Sequence, residues 1–155
     1  PRQAQELSRI AWASKASWGY PEHWLESWRD DLTLTPDFIR TQPVYIAVLD
    51  NDHAGLYALS RHGDEFELEH FWVHPDFMAA GIGKAMFGHA LEQAAELGGA
   101  RMTILADPNA AAFYRHMGAK TIGETSYWQD GVLRTLPRLS VNLSAVAPGI
   151  LPRAE

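Results

Sequence analysis

Apolar residues near the start of the chain recur at helical spacing. Leu7, Ile10, Ala11 and Ser14 fall on one face, which predicts a helix from Gln3 to Ser17. Gly19-Tyr20-Pro21 interrupts that period, and Pro21 suits the first turn of a second helix. This helix is expected over Glu22 to Leu32, with Trp24, Leu25 and Trp28 at helical intervals. Thr35 ahead of Pro36 reads as the cap of a short helical turn carrying Phe38 and Ile39. The pattern then changes to strands. Val44 to Leu49 is an almost unbroken apolar run, as expected of a strand covered on both faces. Gly55 to Arg61 reads as the next strand, and Phe66 to Val73 as a third. In the third, Glu65, Glu67 and Glu69 point one way and Phe66, Leu68 and His70 the other. Asn51-Asp52-His53 and His62-Gly63-Asp64 supply the turns.

After His74-Pro75 the period becomes helical again. Ile82, Met86, Phe87, Ala90, Leu91, Ala94 and Leu97 mark one face, and Gly98-Gly99 ends the helix. A short apolar strand follows from Arg101 to Ala106, then a helix opened by Asp107-Pro108-Asn109 and stopped by Gly118. Two further strands are expected near Lys120 to Trp128 and Leu136 to Leu143, joined through Gln129-Asp130-Gly131. The order predicts one mixed α/β domain over residues 1–143, a central mixed sheet flanked by helices, with residues 144–155 as a surface arm.

Composition narrows the function. The 155 residues include no cysteine, which excludes a disulfide scaffold, a thiol nucleophile and a cysteine zinc site, and fits a reducing, cytoplasmic setting. The formal charge of −6 disfavours nucleic acid and favours a cationic partner such as an amine. No apolar run approaches the roughly 20 residues of a membrane span, so no membrane partner is expected. No signal-peptide pattern opens the residues given, and Pro1 in place of Met leads to the expectation of a trimmed or processed chain. The 7 histidines form no His-Glu-x-x-His or other tight ligand set, so no metal is expected.

The richest chemistry lies where a strand, a proline, a short loop, Gly-x-Gly and a helix follow one another. Gly81 and Gly83 lack Cβ and permit close approach to the backbone. The N–H groups of Ala80, Gly81, Ile82, Gly83 and Lys84 at the helix start, with the helix dipole, make an anion site, and Lys84 adds charge at its rim. The P-loop pattern fails, because Lys84 is followed by Ala85 and the glycine spacing is wrong. The dinucleotide fingerprint fails because Met86 stands where it needs glycine. Read alone, the turn is equally a helix start softened by glycine, with no ligand.

Two blocks decide the context. The stretch from Leu68 to Phe87, with Val73-His74-Pro75 and Met78-Ala79-Ala80-Gly81-Ile82-Gly83, resembles the acetyl-CoA motif of the GNAT acetyltransferase superfamily. Asp107 to Ala119, with Asn109, Tyr114 and Gly118-Ala119, is similar to that family's downstream motif. The resemblance covers about Val44 to Leu143. It implies the GNAT fold, acetyl-CoA as cofactor, acetyl transfer to the primary amine of a small molecule or peptide, and a homodimer. Two departures stand out. Met78 replaces the family's usual Gln or Arg, and Pro1 falls almost at the first helix, so the family's first strand is expected to be lacking and Val44–Leu49 to present an unpaired edge. A non-catalytic acyl-CoA-binding module of the same fold is the alternative.

The resemblance also implies roles. Phe71, Trp72, Val73, Met78, Ala79, Ala80, Gly81, Ile82, Gly83, Lys84, Asn109 and Tyr114 would contact the cofactor. Tyr114 matches the tyrosine that protonates the departing thiolate, though Phe113, Tyr114 and Met117 equally read as an apolar core stripe. Glu69 and Glu67 are the candidate bases, the alternative being a solvated polar face. His70 and His74 are further candidates because histidine titrates near neutrality. Trp18, Tyr20 and Trp24 concentrate rings beside Glu22 in the family's acceptor wall, where cation–π contact suits an amine. Core packing is the competing reading, and the better one for Trp24 and Trp28.

Overall fold

The computed structural model describes residues 2–78 and 80–145. Three helices lead: α1 (Arg2–Ala16), α2 (Glu22–Ser27) and α3 (Pro36–Thr41). Three strands follow, β1 (Val44–Leu49), β2 (Asp52–His62) and β3 (Glu65–Val73), then a 3-10 turn at Pro75–Phe77 and α4 (Ile82–Glu96). The chain continues with β4 (Arg101–Leu105), α5 (Ala111–His116), β5 (Lys120–Gln129) and β6 (Val132–Asn142). The strands form one six-stranded sheet of order β1-β2-β3-β4-β6-β5, in which β3 and β4 run parallel. This is the mixed sheet with flanking helices that the sequence predicts. Residues 146–155, most of the expected arm, lie outside the described residues, as does Ala79.

Two compact units divide the described chain. One holds residues 2–60, 69–78 and 80–86, and the other holds 61–68 and 87–145. In the first, the buried face of α1 (Leu7, Ile10, Ala11) packs with Leu25, Trp28, Leu32, Leu34 and Leu56. Each fully buried Leu or Ile contributes about 1.5–3 kcal/mol. Ser8 ties the layer together: its Oγ donates to Ala4 O at 2.7 Å and accepts from Leu34 N at 2.9 Å. Thr35 Oγ1 accepts from Phe38 N at 3.1 Å with Pro36 in the first turn, the cap expected at α3.

Helix α2 is shorter than its periodicity predicts. It ends at Ser27, whose Oγ donates to Trp24 O at 2.6 Å, and Trp28 leaves helical geometry at φ −96°, ψ 6°. Helical spacing persists through the following turns, since Leu32 N still bonds Trp28 O at 3.0 Å, which is why the pattern overruns the helix. Strand β1 is the sheet edge that the resemblance leads one to expect, but it is only half-buried, with Val48 59% exposed beyond a register shift at Ala47/Val48. Its apolar run therefore does not mean cover on both faces.

Beneath β3, Gly55 accommodates a close backbone approach. A Cβ there would lie 2.7 Å from Trp72 O and 2.9 Å from Met86 Sδ. The carbonyl belongs to a strand and cannot swing aside as a side-chain tip would. Gly55→Ala is accordingly expected to cost about 1–3 kcal/mol, read as a lower urea midpoint. A midpoint at or above the parent's would contradict this packing.

In the second unit, Phe66, Phe87, Met102, Ile104 and Leu139 are fully buried. Gly99 packs against Phe66, whose Cδ2 would lie 2.6 Å from an added Cβ. Leu97, expected on the buried face of α4, is instead exposed just past the helix end. Strand β6 begins at Val132, four residues before the expected Leu136, because Asp130 (φ 49°) and Gly131 (φ 78°) form a tight hairpin that lets pairing start at Gln129↔Val132.

Candidate functional site

The loop between β3 and α4 is built from local capping chemistry. His74 Nδ1 accepts from Asp76 N at 3.1 Å with Pro75 at the next position, which starts the 3-10 turn, so His74 serves as a cap. Phe77 N bonds His74 O at 2.9 Å, and Ala80 N bonds Phe77 O at 3.1 Å. The amide of Ala80 is therefore spent on the loop. This corrects its expected place among the free donors. Gly81 then takes φ +77°, a left-handed conformation that glycine adopts without cost, and its carbonyl accepts from Ala85 N at 3.2 Å as α4 begins.

What remains at the mouth of α4 is a set of donors. Among the described residues, the amides of Gly81, Ile82, Gly83 and Lys84 have no backbone acceptor outside the helix. A helix of 15 residues stands behind them, directing partial positive charge to this end. Lys84 is exposed beside them, and no atom lies within 4 Å of where a Cβ on Gly81 would be. Consecutive amides, a dipole, an ammonium and open space fit a phosphate-bearing group such as the diphosphate of CoA. Met78 is exposed and lies in the turn.

Strand β3 leads into this turn. Its parallel pairing with β4 covers Glu65, Phe66 and Glu67, at the start of the strand. Along β3 the expected alternation holds through His70: Phe66, Leu68 and His70 are buried, and Glu69 is exposed, its Oε2 accepting from Ser60 Oγ at 2.7 Å. Trp72 packs against the cluster containing Leu56. Glu67 meets His62, Nε2 to Oε2 at 3.7 Å.

His70 is buried between Phe38, edge-on at 5.5 Å, and Trp72, whose indole N–H donates to His70 Nδ1 at 3.0 Å. Burial lowers the imidazole pKa, and Glu69 and Asp31 pull weakly the other way. The His70–Trp72 bond went unread in the sequence. Its signal is His-x-Trp, two residues on one side of a strand.

Of the residues expected at the acceptor wall, Tyr20 and Trp24 join Trp28 in an aromatic cluster, with centroids 5.0 Å apart for Tyr20–Trp28 and 5.9 Å for Trp24–Trp28. The ammonium of Lys15 lies 5.2 Å from the Tyr20 ring and 4.8 Å from the Trp28 ring. Trp18 is exposed.

In the second unit, Tyr114 is buried beside Phe87 and Phe113, at 5.7 Å and 5.4 Å. Burial, and to a lesser degree the charge of Asp107, pushes its phenol pKa well above the ordinary value. Asn109 N donates to Asp107 Oδ1 at 2.8 Å, which shapes the turn before α5. Asp107 is held in turn by buried Arg134, 3.8 Å from Oδ2, and Arg134 Nη1 donates to Tyr127 Oη at 2.8 Å. Nothing in the sequence pattern pairs Asp107 with Arg134, which is reached only through the β5–β6 hairpin.

Among the described residues, no group of three or more His, Cys, Asp and Glu side chains is placed to hold a metal ion. No helix there is long and apolar enough to cross a membrane.

The model of the acetyltransferase (GNAT) family matches residues 4–119. No curated protein matches the chain. Among solved structures, a GCN5-related N-acetyltransferase from Rhodopseudomonas palustris is similar at 22% identity, over 92% of this chain and 91% of the other, with a TM-score of 0.73. The PaiA N-acetyltransferase from Thermoplasma acidophilum, solved in complex with coenzyme A, is similar at 17% identity over 91% and 93%, with a TM-score of 0.74. The ribosomal-protein-S18-alanine N-acetyltransferase from Escherichia coli is similar at 15% identity over 83% and 81%, with a TM-score of 0.60.

Proposed function

The chain belongs to the GNAT acetyltransferase family, and from that premise we propose that it moves an acetyl group from acetyl-CoA to the primary amine of a small molecule or peptide, by direct attack of the amine. One observation carries the reading: four successive amides, Gly81 to Lys84, stand at the mouth of α4 without loop acceptors among the described residues. Acetyl-CoA supplies the acetyl group in activated form, as a thioester. The four amides hold its diphosphate, with Met78 and Ala80 against the same group, while the backbone of Phe71, Trp72 and Val73 binds the pantetheine arm. Asn109 belongs to the same cofactor set in this reading.

The chemistry needs a proton removed from the ammonium and a proton given to the departing sulfur. Glu69, fixed by Ser60, is the proposed acceptor of the first, through water and with Glu67 nearby on the strand. Tyr114 Oη carries the second. Its raised pKa keeps it protonated until the sulfur has developed charge. Trp18, Tyr20 and Trp24 are the proposed acceptor-side residues, and the net charge of −6 favours cationic amines.

The test is release of free CoA from acetyl-CoA with a mixed panel of small amines and short peptides. Amine-dependent release is expected. Tight acetyl-CoA binding with no turnover on any amine would contradict the enzyme and identify a binding module.

A further inference from the structure

The acetyl-transfer reading leaves the acceptor open, and the following rests on that reading. His70 is 8% exposed. Because Nδ1 accepts the Trp72 indole N–H, the single proton of the neutral ring belongs on Nε2. The only lone pair is thus already taken, and in this tautomer His70 is a hydrogen-bond donor and not a base. Nε2 has no partner among the described residues. An almost wholly buried ring with one N–H left over is a built donor.

The charges around it narrow what it takes. Glu69 and Asp31 are the groups whose charge reaches the ring, and both are acidic. A carboxylate arriving at Nε2 would meet that field, whereas an ammonium would be drawn by it. Phe38 and Trp72 flank the ring with aromatic surface. We infer that His70 Nε2–H, oriented by Trp72, selects acceptor amines that carry a neutral oxygen, an amide carbonyl or a hydroxyl, next to the amine, and disfavours free amino-acid carboxylates. Trp72 is then a positioning residue, acting through His70.

Four probes share one skeleton: phenethylamine (no oxygen), phenylalaninol (hydroxyl), phenylalaninamide (carbonyl) and phenylalanine (carboxylate). Their dissociation constants are measured calorimetrically with CoA present, apart from turnover. The amide and the alcohol are expected to bind about tenfold tighter than phenethylamine, the worth of one hydrogen bond, and phenylalanine no tighter. In His70→Phe the ratio should fall to about one, and His70→Gln, which restores a donor, should recover part of it. Trp72→Phe should mix the imidazole tautomers by NMR, while weakening the preference. Equal affinity for amide and phenethylamine, a preference that survives His70→Phe, or no binding by any of the four would overturn the inference. Absence of CoA release across the mixed amine panel would instead remove the transfer reading, and the binding ratio would still decide the donor.

Discussion

Replacing Gly81 with valine is expected to weaken CoA binding by a factor of about a hundred or more while leaving the protein folded. The residue sits at φ +77°, where a β-branched side chain is strained. That strain costs about 1–3 kcal/mol locally. The turn relieves it by rotating out of the left-handed region, which swings the amides of Gly81 and Ile82 away from a common target. Each charge-assisted hydrogen bond is worth about 1.5–3 kcal/mol, so losing two amounts to roughly two powers of ten in affinity or more. The fold tolerates the change because no atom lies within 4 Å of the added Cβ. Calorimetric titration with CoA, beside a urea melt, separates the two effects. Unchanged affinity would show that the turn does not hold the phosphates.

Tyr114→Phe is expected to lower kcat about a hundredfold with little change in CoA affinity. A positioned general acid contributes about 10²–10⁴ in rate, and the substitution removes only the hydroxyl while keeping the ring that packs on Phe87 and Phe113. The sign of the pH dependence follows from burial. The phenol is pushed to higher pKa, so its protonated, active form persists as pH rises. Ionisation of Tyr114 should therefore impose no falling limb on kcat below about pH 10. Equal rates for parent and variant would remove Tyr114 from the chemistry. A limb near neutrality that vanishes in the variant would contradict the buried environment.

Features that depend on neighbours in sequence were legible. The cap at Thr35, the glycine stops after α4 and α5, and the glycine turn ahead of α4 are each set by a few consecutive residues, and the structure has each of them. Features set by distant partners were not. Val44–Leu49 is apolar enough to suggest cover on both faces, yet the strand is only half-buried; its place at the edge was expected from the resemblance. Ala80 looks like a free donor until the 3-10 turn brings Phe77 O to it. His70 is one of 7 histidines in the sequence, and only its bond to Trp72 and its burial set it apart. Asp107 and Arg134 are separated by a helix and a strand, and no periodicity relates them.

The central claim is that main-chain amides at the start of α4 grip the diphosphate of CoA. A crystal soaked with CoA tests it most directly. The expected density places diphosphate oxygens about 3 Å from the amides of Gly81, Ile82, Gly83 and Lys84. CoA bound on another face, with those four amides facing only solvent, would contradict the account.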